Sequence, residues 1–243
     1  MAQYYIGTSG WHYDHWKGIF YPDGLPKSKW LEFYTMHFLT VELNNSFYRL
    51  PSIEAFEKWR TSTPSGFIFT VKVSRYITHI KRLKTADEPM KKFLENTDHL
   101  YNKLGPLLYQ LPPNMKSDKA LLEDFLYILP RQYRHVFEFR HSSWFTDNIF
   151  DLLRYYDAGF CVYDMPDFSC PVIATNDTGY IRFHGSRALY SGCYSGSELA
   201  VWAKRIEELG KDVSQIYIYF NNDARGYALR NAAEIKKILL KQS

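Results

Sequence analysis

Three short runs each carry two polar residues spaced two apart: Glu42 and Asn44 in "TVELNNSFY", Glu138 and Arg140 in "HVFEFRHSSW", Arg182 and His184 in "YIRFHG". In an extended strand such residues point to the same side, so each pair projects into one space. Phe137 and Phe139 then take the opposite side of their strand. The same alternation applied to the other β-rich runs adds Lys72, Gln110, Asp164 and one of Asn221 or Asn222 to the polar side. Carboxylates, cations, a histidine and amides gathered in one volume suit proton transfer and the stabilisation of developing charge. As mere filling they are costly, because a buried charge is unfavourable unless it is paired and hydrogen-bonded.

The elements that must position these residues recur in order. β-rich runs occupy 4–10, 40–48, 67–74, 106–113, 136–141, 160–165, 180–185 and 216–222. Helical periodicity separates most of them. Leu31, Tyr34, Thr35 and Phe38 mark the first helix, and shorter helices are expected near 53–61 and 118–129. Met90, Phe93, Leu94, Thr97, Leu100, Tyr101 and Leu104 predict one that stops at Gly105. Ile149, Leu152, Leu153 and Tyr156 predict one that stops at Gly159. Ser195 with Glu198 three residues on is a capping-box signature ahead of Leu199, Trp202, Ala203 and Ile206. Ala228, Ala232, Ile235 and Leu239 mark the last helix. The sixth connection, "PDFSCPVIATNDTG", holds too much proline for a full helix.

Strand–helix alternation repeated eight times predicts a single α/β domain over 1–243, a (β/α)₈ TIM-type barrel with a degenerate sixth helical segment. An open doubly wound sheet would want central strands apolar on both faces, which these are not. Polar pairs near the carboxyl ends of strands then face the barrel interior at the end where such barrels place their sites.

Composition narrows the class. Apolar residues at 46% allow a sizeable core, and a net charge of +4 only weakly favours anionic partners. Cys161, Cys170 and Cys193 lack C-x-x-C spacing, so neither a disulfide framework nor a thiolate metal site is suggested, and Cys161 reads as packing. "MAQYYIGTSG" lacks the basic and apolar regions of a signal peptide, and no apolar run spans a bilayer. A soluble cytoplasmic protein without a membrane partner is the expectation.

The long strand-to-helix connections share the polar mouth. The first carries Trp11, Trp16, Phe20 and Tyr21; the third carries Arg75, His79, Lys81, Arg82 and Lys84; the seventh supplies Gly185, Ser186 and Arg187 ahead of a helix start near Ser195–Ser197. Such barrels often hold phosphate after strands 7 and 8. These residues favour an enzyme of hydrolase or lyase type acting on a small polar anion, phosphate-bearing or nucleotide-like. Glu42, Glu138 or His184 would serve as general acid or base, while Lys72, Arg140 and Arg182 neutralise the anion. Lys72 could instead form a Schiff base, or sit salt-bridged to Glu42 on the adjacent strand. Glycoside hydrolysis would use Glu42 and Glu138 as its carboxylate pair.

Two alternatives concern nucleic acid. A binder would stack bases on Trp11, Tyr13, Trp16 and Tyr48 and hold phosphates with Arg49, Lys81, Arg82 and Lys84. A metal-dependent, endonuclease IV-like phosphodiesterase would recruit Glu42, Glu138, Asp164 and His184, with His79 and His141 nearby. No P-loop, G-x-G-x-x-G or Ser-His-Asp elbow is present, so no cofactor is named.

Several of these runs resemble a known family. "GTSGWHYDHWKGIFYP" (7–22), "VELNNSFYRLP" (41–51), "FTVKVSRYITH" (69–79), "LGPLLYQLPP" (104–113), "FEFRHSSW" (137–144), "YIRFHG" (180–185) and "IYFNND" (218–223) look like segments of domain of unknown function 72, the YecE-like proteins. The similarity runs in register from residue 7 to about Ala232. It implies a (β/α)₈ barrel and brings no established activity. By motif position it implies Gly10, Trp11, Glu42, Asn44, Lys72, Gln110, Glu138, Arg140, Arg182, His184 and Asn221 as site candidates. Asp223 departs from the pattern, standing after "FNN" where the resemblance leads one to expect His.

Overall fold

A computed structural model describes residues 2–186 and 190–240. Eight parallel strands run β1 (Gln3–Thr8), β2 (Thr40–Leu43), β3 (Ile68–Lys72), β4 (Leu104–Gln110), β5 (His135–Glu138), β6 (Gly159–Asp164), β7 (Thr178–Phe183) and β8 (Gln215–Phe220). Their order is β1-β8-β7-β6-β5-β4-β3-β2, which leaves β1 and β2 to meet and close the barrel. The closing seam is short. Ser9 bridges to Glu42, the Gly10 N–H donates to the Glu42 carbonyl at 2.8 Å, and the Tyr34 hydroxyl accepts from the Thr8 N–H and donates to the Thr40 carbonyl. A Cβ on Gly7 would lie 2.3 Å from the Thr40 carbonyl oxygen, so only glycine lets the two strands approach.

Around the strands lie α1 (Trp30–Thr35), the single turn α2 (Asn45–Tyr48), α3 (Ile53–Thr61), α4 (Asp87–Thr97), α5 (Lys119–Tyr127), α6 (Asp147–Tyr155), α7 (Gly196–Leu209) and α8 (Tyr227–Leu240). No helix forms between β6 and β7, as the prolines there predict. The capping box at α7 forms with both its reciprocal bonds. Two expectations were misplaced at their edges. The helix expected to end at Gly105 ends at Thr97, a 3₁₀ turn follows, and β4 already begins at Leu104. Gly105 sits in β4 because a Cβ there would meet the Ile68 side chain at 2.6 Å, so its smallness serves strand packing rather than helix termination. The strand expected over 40–48 stops at Leu43, where the chain turns into α2.

Phe137 and Phe139 face the helices: Phe139 stacks on Trp144 at 4.7 Å, and Phe137 on Tyr109 at the same spacing. Inside the barrel, a lower layer of Leu108, Val136, Cys161, Tyr180, Tyr217 and Tyr219 accounts for part of the aromatic-rich composition. Its hydroxyls are satisfied within the barrel: Tyr219 pairs with Thr40 at 2.6 Å and Tyr180 with Thr70 at 3.1 Å. Polar side chains begin directly above. Among the described residues, no helix is long and apolar enough to cross a membrane.

Candidate functional site

The polar residues stand in two tiers. In the lower tier Arg182, fully buried, spans the barrel from β7 and donates to both carboxylates, at 2.8 Å to Glu42 and 2.5 Å to Glu138. Glu42 also accepts from the Ser9 hydroxyl at 2.5 Å and the Tyr180 hydroxyl at 2.6 Å. Glu138 also accepts from the Nε of Arg140. Burial alone would push the Glu138 carboxyl up, but Arg140 and Arg182 outweigh it and hold the group well below the usual range. The guanidinium of Arg182 fills the gap between the carboxylates, which is where a glycosidase must place its sugar ring.

The upper tier is what a ligand would meet. Lys72, Gln110 and Arg140 each retain 9% exposure, whereas Glu42, Glu138, Arg182 and His184 retain none. The Lys72 amine donates to the Gln110 amide oxygen at 2.9 Å and lies 4.1 Å from the centre of the Phe47 ring. The expected Lys72–Glu42 salt bridge does not form, because Arg182, Ser9 and Tyr180 already occupy Glu42. Burial first, then the nearby Arg182 and Arg140 charges, push the Lys72 amine down to about 7 against the opposing pull of Glu138 and Glu42. Arg140 is held by Glu138, by the Tyr163 ring beneath it at 4.8 Å, and by an N–H to the Met165 sulfur at 3.0 Å.

His184 is neutral: burial, Arg140 and Arg182 push it down to about 3. Its Nε2 lies 2.7 Å from an Arg140 nitrogen, and a guanidinium can only donate, so Nε2 carries the lone pair and Nδ1 the proton. Nδ1 lies 3.3 Å from the side-chain amide nitrogen of Asn221, whose amide would have to turn its oxygen inward to accept from it. Asn44 stands at the same mouth, and its buried Oδ1 has no partner among the described residues.

The structure therefore gathers Glu42, Lys72, Gln110, Glu138, Arg140, Arg182, His184 and Asn221 into one connected cluster. Other expectations are corrected. Asp164 is paired in register with Phe183, both facing outward, and its carboxyl bonds toward Tyr194 and Trp202 near α7. Trp11 is buried edge-on against Trp59, and Trp16 is fully buried with its indole N–H on the Asp223 carbonyl, so neither is free to stack on a base or ligand. Gly10, at φ 86°, shapes the turn and ties the seam rather than opening a cradle; a Cβ would lie 2.9 Å from the Tyr13 hydroxyl. At the seventh connection, Ser186 donates to the Cys193 carbonyl. The α7 N-terminus is capped by the Glu198 carboxylate, so that end is already occupied by a negative group. Arg187 lies outside the described residues. Asn222 is structural, bound to Asn231 and the Gly192 carbonyl, and Asp223 pins the first connection through His15. Among the described residues no three His, Cys, Asp or Glu side chains converge as metal ligands, and His141 sits apart on Ser143.

Sequence reasoning missed Ser9, Tyr180, Tyr163 and Phe47. Ser9 shares its strand face with Tyr5, and Tyr180 lies two residues before Arg182, so alternation carried further would have found both. Phe47 lies beyond the strand, on α2, where alternation says nothing. An apolar groove of about 650 Å³ lies apart, between the first connection, the segment after α1, and α8, lined by Ile19, Phe20, Phe38, Leu229, Ala233 and Leu240. It holds none of the clustered polar groups.

Comparisons with known proteins agree with this architecture. The family described as "Protein of unknown function DUF72" matches residues 5–243. The UPF0759 protein YunF of Bacillus subtilis is 30% identical over 97% of this chain and 94% of its own length. The UPF0759 protein YecE of Escherichia coli K12 is 31% identical over 58% of this chain and 50% of its own length. Among solved structures, a DUF72 family protein of Thermotoga maritima superposes with a TM-score of 0.90 at 34% identity, covering 98% of this chain and 99% of that one. One from Enterococcus faecalis, at 20% identity, shares the fold with a TM-score of 0.85 over 98% of this chain and 96% of that one.

Proposed function

This chain belongs to the DUF72 family, and we propose that it is an enzyme of hydrolase or lyase type whose substrate is a small anion bound at the barrel mouth. One observation carries this reading. Three cationic side chains, Lys72, Arg140 and Arg182, face two carboxylates, Glu42 and Glu138, and both carboxylates are committed to the arginines. Lys72 is the cation left over, held among the described residues by an amide oxygen and a ring face. A phosphate or carboxylate entering there supplies the missing negative charge in a site of low dielectric. Arg140 supports the same reading. Its N–H on the Met165 thioether has a weak acceptor that an anion oxygen would replace with a stronger one.

The roles shift accordingly. Glu42 and Glu138 are saturated with donors and shielded from solvent, so in this reading they fix the arginines in place. His184 steadies Arg140 through its lone pair. Lys72, poised near neutrality, is the group able to exchange a proton with substrate.

A thermal-shift screen tests this with inorganic phosphate, phosphorylated metabolites, neutral sugars, short oligonucleotides and divalent metals. Phosphate and small phosphorylated compounds should stabilise the protein, and Arg140→Gln should remove the response. A shift with metals alone, abolished by chelator, would move the reading to phosphodiesterase chemistry. No shift with any anion would end it.

A further inference from the structure

Lys72 is placed as few lysines are. It projects from the end of β3 into the barrel mouth, retains a little exposure, and has no carboxylate oxygen within 4 Å among the described residues. Its stem rests in protein, and its amine is aimed by one hydrogen bond to Gln110 and by the face of Phe47. An ordinary surface lysine is strongly hydrated and almost wholly protonated, which leaves its nitrogen without a free lone pair. Here the charged and titratable groups around the amine are Arg182 from β7, Arg140 beyond β5, the committed carboxylates Glu138 and Glu42, and His79 from the connection after β3. Two fixed guanidinium groups and burial oppose the ammonium form, so far more of this amine is free near neutral pH than in an exposed lysine.

Resting on the anion-binding reading above, we propose that Lys72 is a covalent nucleophile that forms an imine with the carbonyl carbon of a small anionic aldehyde or ketone. The amine lone pair attacks the carbonyl carbon while the C=O π pair moves to oxygen. Both amine hydrogens then leave with that oxygen as water, and the nitrogen lone pair closes the C=N bond. No oxidant or second reactant is needed. The anionic group of the same molecule takes the place opposite Arg140, so one end of the substrate supplies charge and the other supplies the electrophile. His79, a neutral imidazole, packs against the same Phe47 ring at 5.0 Å. The imine, once protonated, withdraws electrons from the adjacent carbon, which is the chemistry a lyase of such substrates uses.

Reductive trapping decides the point. The full chain is treated at pH 7 with glyoxylate, a small carboxylate aldehyde, and sodium borohydride, and the modified lysines are located by peptide mass spectrometry. Propanal serves as the neutral aldehyde, and inorganic phosphate as competitor. Glyoxylate should modify Lys72 about tenfold or more faster than any exposed lysine, because an exposed lysine is almost wholly protonated at that pH. Phosphate should slow that modification, propanal should not favour Lys72, and Lys72→Arg should still respond to phosphate without being trapped. If phosphate stabilises the protein but Lys72 stays unmodified while exposed lysines react, the imine is wrong and the anion site stands. Equal trapping by propanal, unprotected by phosphate, would refute the anionic carbonyl assignment. Neither phosphate binding nor trapping would remove both readings.

Discussion

Replacing Arg182 with methionine tests whether the lower tier is a scaffold. Arg182 is fully buried and is the one group that touches both Glu42 and Glu138 among the described residues. Removing one partner of a buried ion pair costs about 3–5 kcal/mol, because a charge is left without compensation. Here two carboxylates lose a partner, but each retains others: Ser9 and Tyr180 on Glu42, Arg140 on Glu138. The expected loss is therefore about 4 kcal/mol, a large share of the roughly 5–15 kcal/mol that holds a domain folded. Urea unfolding followed by circular dichroism measures it. The pH dependence carries a sign. In the wild type, Glu138 is held well below its ordinary value, so its stabilising share is fully present above about pH 4.5 and fades as pH falls through the folded value. Without Arg182 the buried Glu138 carboxylate takes up a proton more readily, and the variant's deficit should be smaller at pH 5 than at pH 7. Substituting Glu42→Gln alongside Arg182→Met should recover part of the loss, since Glu138 keeps Arg140 and no buried carboxylate is then left without a cation. A deficit under about 1 kcal/mol at pH 7 would refute the scaffold role, because exposed ion pairs give losses of that size.

The other tests address separate parts of the barrel. Lys72→Met removes an ammonium that burial disfavours; the folded value near 7 lies below the unfolded one, so wild-type stability rises with pH from about 7 toward 10.4. The methionine variant should therefore gain on the wild type by about 2 kcal/mol or more at pH 6 and much less at pH 10, read from urea midpoints at the two pH values. Equal gains at both would contradict it. Tyr34→Phe removes the hydroxyl that joins the Thr8 N–H to the Thr40 carbonyl and should cost about 2 kcal/mol, with faster amide exchange at Thr8. Unchanged exchange there would show that the seam closes without it. His184, pushed down to about 3, should show no titration of its ring protons by NMR between pH 8 and pH 5, and a midpoint near 6.5 would overturn its assignment as a neutral acceptor for Arg140.

Much of the barrel and its polar interior is legible in the sequence, because the signals are local. Side chains in a strand alternate with period two whatever the strand packs against, so Glu42, Glu138, Arg140, Arg182 and His184 share an interior face by spacing alone. Helical periodicity, the Ser195–Glu198 capping box and the prolines of the sixth connection likewise act within a few residues. Asp164 shows the limit of that reasoning: a shift of one position flips a side chain, and its pairing with Phe183 across the sheet places it outside.

Partnership, by contrast, is a property of the closed barrel. Glu42 and Arg182 are 140 residues apart in sequence, and only closure at the β1–β2 seam brings β7 within reach of β2. Adjacency of strands predicted a Lys72–Glu42 pair, yet a longer guanidinium reached across the interior and took both carboxylates. That left Lys72 to an amide oxygen and an aromatic face. Burial also decided the fate of Trp11 and Trp16, whose residue type suits a binding surface equally well as a core. Sequence spacing sets which way a side chain points; which charges it meets, and how much water remains beside it, depend on distances that only the folded chain defines.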